Sequence, residues 1–454
     1  MKTVDVGVAL DEGQWGGYQK LLVLATALTI ILDGLDNQLL PPAIPVLMKE
    51  WEQPRAAFGY VLTSGMIGMM LGGFIGGAVG DRVGRRVALL GSVTLFGLLT
   101  VLVSFSTGVT MMIVLRFLSG LGLGGAMPNA AALSSEYVPR RQRPFAVTLT
   151  IVCIPLGGSL AGIVGGLVLP TFGWRALFLI GGIIPLVLAA LLLKVLPESP
   201  RFLARVKERW PELRTLMGRL GHQVSPDAVF FDGREKAVPA ASVGQLLQPE
   251  FRRDTLALCG SFFFCLLSVY MGTNWVPQML TRTGFDVGTA SWGLTAFNFG
   301  GVAGAIIGAV IIMRLGSRIS MLTMAAGAIA GAIVLSVMAI GPQASVLVFV
   351  MLAWTGGLIN AVQTTMYALA AHVYPTSIRG TGVGTAVAFG RIGGVISPTL
   401  GVWALDSGGP ARYFTIIAGM MTMAFVSLAA VRRHVPGASA VPAAGPIVAQ
   451  PVRH

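Results

Sequence analysis

Twelve apolar runs set the terms on which this chain can fold. They cover roughly residues 20–47, 56–80, 87–107, 109–134, 144–169, 175–196, 255–280, 288–312, 319–340, 344–371, 380–404 and 412–431. A helix rises about 1.5 Å per residue, so about 20 apolar residues cross a hydrocarbon core about 30 Å thick. Inside that core every backbone N–H and C=O must find a partner within the protein, which leaves helices and closed barrels. A barrel would alternate apolar and polar residues in segments of about ten, and these runs do not alternate. Only 11% of the 454 residues are charged, against about 25% in a soluble domain, too few to cover a water-facing surface. The expectation is an all-α membrane protein with twelve transmembrane helices. The first twenty residues carry Asp5, Asp11 and Glu12 and lack the basic start and small-residue cleavage site of a signal peptide, so the first span is expected to be retained.

The net charge of +13 invites a nucleic-acid reading, which its distribution excludes. With the N-terminus inside, the outer loops hold five of the 32 Lys and Arg: Lys49, Arg55, Arg175, Arg282 and Arg412. Arg116 and Arg391 fall within spans, and the other 25 lie on the inner side. This is the positive-inside pattern, and it puts both termini in the cytoplasm of a protein of the cytoplasmic membrane. Cys153, Cys259 and Cys265 are scattered through spans and the four histidines are dispersed, so neither a disulfide framework nor a metal site is indicated, and no cofactor is expected.

The chain divides into two halves that echo each other. A polar stretch, 197–254, reads as a cytoplasmic loop between six-helix halves at 1–196 and 255–433, and the Ala/Pro/Val-rich tail 434–454 reads as disordered. Gly80-Asp81-Arg82-Val83-Gly84-Arg85-Arg86 follows the second span, and Ile312-Met313-Arg314-Leu315-Gly316-Ser317-Arg318 follows the eighth. Pro139 and Arg143 match Pro375 and Arg379, Pro155-Leu156-Gly157-Gly158 matches Arg391-Ile392-Gly393-Gly394, and Trp174-Arg175 meets Arg412. Parallel repeats of this kind place a substrate site between the halves near the bilayer midplane.

These motifs carry a family resemblance. Gly77-x-x-x-Asp81-Arg82-x-Gly84-Arg85-Arg86 resembles the signature loop of the major facilitator superfamily, Arg116-Phe-Leu-Ser-Gly120-Leu-Gly122 its span-four motif, and Pro197-Glu198-Ser199-Pro200-Arg201 its end-of-span-six motif. Within it, Asp33-Gly34-Leu35-Asp36-x-Gln38 resembles the first-span hallmark of the aromatic acid:proton symporters. Asn274-Trp275-Val276-Pro277, the stretch from Tyr374 to Gly384, and Gly390-Arg391-Ile392-Gly393 support it. The resemblance implies alternating access by two pseudo-symmetric halves, and proton-coupled uptake of an aromatic carboxylate such as a hydroxybenzoate. Another small organic anion, or export on the same fold, is the alternative.

Four charges placed well inside spans need a reason, because such a residue costs about 2.5–3.5 kcal/mol or more at a helix centre. Asp33 and Asp36 lie three residues apart, so they are expected to share one helix face, with Asn37 beside Asp33. Two acids this close in a low dielectric resist ionising together, which suits a group that gains and loses a proton near neutrality. Which of the two takes the proton stays open, as does the bland alternative of a fixed network that locks helices. Arg391 offers the planar fork that a carboxylate wants, and its repeat-mate is the uncharged Pro155. It could equally serve as counter-ion to an aspartate. Arg116 is assigned to coupling with Asp33 or Asp36. The resemblance supports an arginine at position 391.

An aromatic ring needs an apolar, partly aromatic wall with a few hydrogen-bonding groups. Gln38, Tyr270, Asn274, Trp275, Phe297, Asn298, Trp354, Asn360, Gln363 and Tyr367 are the candidate lining residues; Tyr270 with Asn274, and Gln363 with Tyr367, share helix faces at i,i+4. The resemblance assigns Asp81, Arg82, Arg85 and Arg86 to a cytoplasmic latch, which Glu136, Arg140 and Arg143 could join. Met313 stands where the second-half acid would be, so the second latch is expected to be weaker or absent. A membrane enzyme would need a nucleophile–base or metal constellation that these spans lack. No Gly-x-x-x-x-Gly-Lys-Ser/Thr loop is present for ATP-driven transport, and no segment is large enough for a sensor domain. The expected partners are an aromatic carboxylate, protons and the lipid bilayer, with the protein working as a monomer.

Overall fold

The computed structural model describes residues 3–222, 224–225, 227–233, 243–375 and 378–437. From residue 438 onward the tail expected to be disordered lies outside the described residues, as do Thr376 and Ser377.

The first span is not one helix. It runs as α2 (Gly17–Asn37) and α3 (Leu40–Glu50), after a short α1 (Val6–Glu12). Pro41 and Pro42 open α3. Neither has an N–H to return to Asn37 or Gln38, and a proline ring clashes with the carbonyl four residues back. Gln38 therefore leaves helical geometry at φ −112° and ψ 12°, two residues beyond Asp36. The next rods are α4 (Arg55–Val83), α5 (Arg85–Val103), α6 (Val109–Tyr137) and α7 (Arg143–Val195). The last is two helices, because Gly173 at φ 74° breaks it.

The second half repeats the plan with α11 (Arg252–Arg282), α12 (Val287–Leu315), α13 (Ser317–Val337), α14 (Ser345–Val373) and α15 (Arg379–Ala430). Here α15 is the double rod, broken at Gly408 and Gly409. The double rods hold 53 and 52 residues, and α4, α6, α12 and α14 hold 29 each. That match of lengths is the repeat in physical form. Among the described residues, ten helical stretches are long and apolar enough to cross a membrane; splitting α7 and α15 at their breaks makes twelve spans.

The polar stretch after 196 is more ordered than its composition suggests. It carries α8 (Pro200–Arg205), α9 (Trp210–Arg219), β2 (Val229–Phe231) and α10 (Val243–Leu246). Strand β1 (Thr3–Asp5) pairs in parallel with β2, setting Val4 against Phe230. Val6, Leu10, Leu203, Leu213, Met217 and Phe230 form a separate small core. The extreme N-terminus is thereby tied to the central segment. The sequence signal was weak because these apolar residues are spaced singly among charges.

Candidate functional site

Asp33 and Asp36 leave the same helix toward different neighbours. Three residues on a 3.6-residue turn place them about 60° apart, enough to part company in a packed bundle. Asp36 is fully buried and accepts hydrogen bonds from Thr100 Oγ1, Ser119 Oγ and Arg116 Nη1, the last two at 3.4 Å. Arg116, only 4% exposed, completes an ion pair with it inside the N-terminal half. Asp33 is also buried, yet its Oδ1 has no hydrogen-bond partner. The shared face expected from sequence thus resolves into a wired acid and a bare one.

The bare acid faces a cavity between the halves. Asp33, Asn37 and Gln38 line it from the first span. Met69, Leu123, Met127, Ile151, Ile154 and Pro155 form an apolar wall on the N-terminal half. The opposite wall mixes polar groups, Tyr270 and Thr273 from α11, Asn298 from α12, Asn360, Gln363, Thr364 and Tyr367 from α14, and Arg391 from α15, with the apolar Leu266, Val269 and Val387. Arg391 lies within electrostatic reach of Asp33, Tyr270 and Tyr367. Its Nη1 donates to Met69 O at 3.4 Å across the half boundary. The crossing depends on Gly73, where an added Cβ would lie 2.4 Å from Nη1.

Seven of the expected site residues, Gln38, Tyr270, Asn298, Asn360, Gln363, Tyr367 and Arg391, meet at this cavity. Four do not: Trp275 is buried with its Nε1 donating to Pro398 O at 3.1 Å, Phe297 is buried in the core, and the other two are Trp354 and Asn274. Trp354 is 54% exposed on the outer face of α14 and donates to Gly327 O of α13 at 3.2 Å, so it is a packing and lipid-facing residue. Asn274 is buried outside the cavity, with its Nδ2 donating to Ser397 Oγ at 3.4 Å; being four residues from Tyr270 did not carry it to the lumen. Thr364, absent from the expected lining set, stands on the face of α14 that Asn360, Gln363 and Tyr367 use, the four lying at i, i+3, i+4 and i+7. That spacing was visible in the sequence.

The halves are joined from the middle of the membrane to one end. Asn298 Nδ2 donates to Gln38 Oε1 at 2.7 Å, and Thr295 Oγ1 to Ser159 O at 3.2 Å. At that end Arg55, 7% exposed, pairs with Asp406. At the other end the expected latch residues bond largely within the N-terminal half. Asp81 pairs with Arg85, Arg86 N donates to Glu198 Oε1 at 2.9 Å, and Glu136 accepts from Ser199 Oγ. Arg143 pairs with Asp11, tying the N-terminal segment to this end, while Arg82 and Arg140 are exposed. Gly84, at φ 118°, admits the Glu198 carboxylate to the start of α5, where a Cβ would lie 2.3 Å from Oε2.

The second half solves the same corner differently. Met313 is 64% exposed, and the chain after α15 supplies the cap. Ser317 N donates to Val435 O at 2.9 Å, Val435 N donates to Ser317 Oγ at 2.8 Å, and His434 Nδ1 lies 3.0 Å from that hydroxyl. A post-helical strap stands where Glu198 stands in the first half.

Comparison with known proteins agrees with this architecture. The family model of the Major Facilitator Superfamily matches residues 26–358 and 256–452. The chain belongs to the Major Facilitator Superfamily. Among its members, the 4-hydroxybenzoate transporter PcaK of Pseudomonas aeruginosa is 34% identical, over 90% of this chain and 91% of that one. The benzoate transport protein of Acinetobacter baylyi is 32% identical, over 89% and 87%. The crystal structure of a D-xylose-proton symporter superposes with a TM-score of 0.67 at 18% identity, covering 91% of this chain and 97% of that one, which shows the shared fold. In the Major Facilitator Superfamily the two halves are parallel repeats with the substrate site near the midplane between them; the cavity lined by Asp33 and Arg391 also lies between the halves of this chain.

Proposed function

We propose that this protein takes up an aromatic carboxylate together with one or more protons, by alternating access. Asp33 carries the proton and Arg391 holds the substrate carboxylate. The observation that carries the reading is the cavity itself. A buried carboxyl whose Oδ1 has no partner and a guanidinium, one from each half, face a common cavity whose lining mixes apolar side chains with hydrogen-bonding groups. An ionised carboxylate with nothing to accept from is costly in such a place, so Asp33 has reason to take a proton whenever Arg391 turns to a substrate. Asp36, bound by Arg116, Thr100 and Ser119, is the fixed member of the pair. The names of relatives matching about nine-tenths of the chain, benzoate and 4-hydroxybenzoate carriers, point to the same substrate class.

The positive-inside distribution of Lys and Arg puts both termini in the cytoplasm. The joined end, with Arg55 and Asp406, is then external, and the protein is inward-facing. Asp81, Arg85, Arg86, Glu136 and Arg143 form the cytoplasmic gate. The chain works as a monomer in the cytoplasmic membrane, since its cavity is complete within one chain.

Uptake of labelled aromatic acids into proteoliposomes, with and without an imposed pH gradient, tests this. Accumulation should follow the gradient, vanish in Asp33→Asn, and show a raised KM in Arg391→Lys, which loses the bidentate fork. Uptake indifferent to the gradient would remove proton symport; an unchanged KM in Arg391→Lys would move the carboxylate site elsewhere.

A further inference from the structure

The cavity has two polar poles, and only one suits a carboxylate. Arg391, with Asp33, Tyr270 and Tyr367 within its field, forms the charged pole. The other is an amide cluster at the joined end of the cavity: Gln38, Asn298 and Asn360. Asn360 packs against α12, where a Cβ on Gly301 would lie 2.8 Å from its Nδ2, beside Asn298 on the same helix. Along α14, Asn360 sits seven residues from Tyr367, about 10 Å by helical rise. Both poles line the same cavity.

This second pole is not explained by a carboxylate or a proton. All three side chains are buried, at 5%, 2% and 4% exposure, and neutral. Asn298 uses Nδ2 on Gln38 Oε1 at 2.7 Å and on Leu294 O at 3.1 Å. Asn360 donates one N–H to Gly356 O at 2.9 Å, and Gln38 Nε2 reaches Asn298 Oδ1 only at 3.5 Å. A primary amide has two N–H donors and a carbonyl acceptor, so the cluster keeps hydrogen-bonding capacity at the cavity wall. Buried polar groups left unpaired are costly, which makes such a pole selective for a ligand group that both donates and accepts. A hydroxyl does both.

We infer that the Gln38–Asn298–Asn360 cluster reads a ring hydroxyl. The site therefore selects hydroxylated aromatic acids over the unsubstituted acid, with the carboxylate at Arg391 and the hydroxyl at the amides. The inference rests on the aromatic-acid reading above and deepens it. It also places substrate recognition on a bond that joins the halves, since Gln38 and Asn298 belong to opposite ones.

The test uses the full chain in proteoliposomes, with labelled benzoate, 3-hydroxybenzoate and 4-hydroxybenzoate, and ligand-induced thermal stabilisation of the wild type as a binding readout. A site built to hydrogen-bond a hydroxyl rejects the analogue that lacks it. The wild type should favour at least one hydroxylated acid over benzoate by about tenfold to a hundredfold. Asn360→Leu should raise the KM for that acid about tenfold or more and shrink its preference over benzoate. Equal wild-type affinity for all three acids would overturn the inference without any variant, so it stays falsifiable if Asn360→Leu does not fold. An unchanged preference in a folded Asn360→Leu would overturn it as well. Both results leave the aromatic-acid reading standing, whereas wild-type failure to take up or bind any of the three acids removes that reading and the inference with it.

Discussion

Replacing Asp36 by Asn separates the two aspartates more cleanly than any other single change. The side chain keeps its size, but its one remaining oxygen can accept from Thr100 or from Ser119 and not from both, since they bond opposite oxygens of the carboxylate, and Arg116 loses its counter-charge. At 3.4 Å and an effective dielectric of about 20, the lost attraction is about 5 kcal/mol. Removing one partner of a buried pair typically costs about 3–5 kcal/mol, so the two routes agree. Arg116 cannot escape to water or deprotonate, and it is 4% exposed. Asp36→Asn should therefore lower the thermal unfolding midpoint of the detergent-purified protein sharply, and adding Arg116→Gln should restore most of the loss. Asp33→Asn removes a carboxyl whose Oδ1 bonds to nothing, so its unfolding midpoint should stay level or rise while gradient-driven uptake disappears. The reasoning fails if Asp36→Asn melts like wild type, or if the double variant is no more stable than the single one. It also fails if Asp33→Asn is the destabilised member of the pair.

Two further results are expected. Gly73→Ala places a methyl where Arg391 Nη1 now lies, so substrate KM should rise about tenfold or more; Gly77→Ala, with nothing within 4 Å of its added Cβ, should leave uptake kinetics unchanged. Burial, and then the nearby Arg318, hold His434 below the usual imidazole range, with Asp254 opposing. A histidine disfavoured as a cation in the folded state binds fewer protons there than when released. The stability its strap contributes should thus be full above about pH 6.5 and fall as pH drops below it, seen as faster proteolysis after Val431 at pH 5 than at pH 8. His434→Gln should flatten that dependence.

The spans were legible in the sequence because apolar length alone decides them, and the repeat was legible because equal helices carry equal motifs. The buried charges were legible through their cost. What the linear pattern could not convey is direction. Helical spacing grouped Asp33 with Asp36 and Tyr270 with Asn274, but packing against α5 and α6 claimed Asp36, and Ser397 claimed Asn274. Trp354 was chosen for its aromatic ring, although a rim of lipid-facing aromatics is the common fate in a membrane helix. The break at Gln38 was written in Pro41 and Pro42 yet masked by an unbroken apolar run. The strap at Ser317 had no repeat-mate to announce it, since Glu198 does the equivalent work with a side chain.

Arg391 and Asp33 ride on different halves, and this makes the cavity an electrical coupling as well as a container. Any rocking that changes their separation does work against their attraction when both are charged, and none once Asp33 is neutral. Loading state and mechanical state therefore share one energy term. With the acid ionised, attraction draws the two halves together at the depth of the site; with it protonated, that restraint is gone and the guanidinium is free to follow its anion. On this wiring the step that is resisted is movement with Asp33 ionised and Arg391 unoccupied, so protonation of one half loosens its hold on the other.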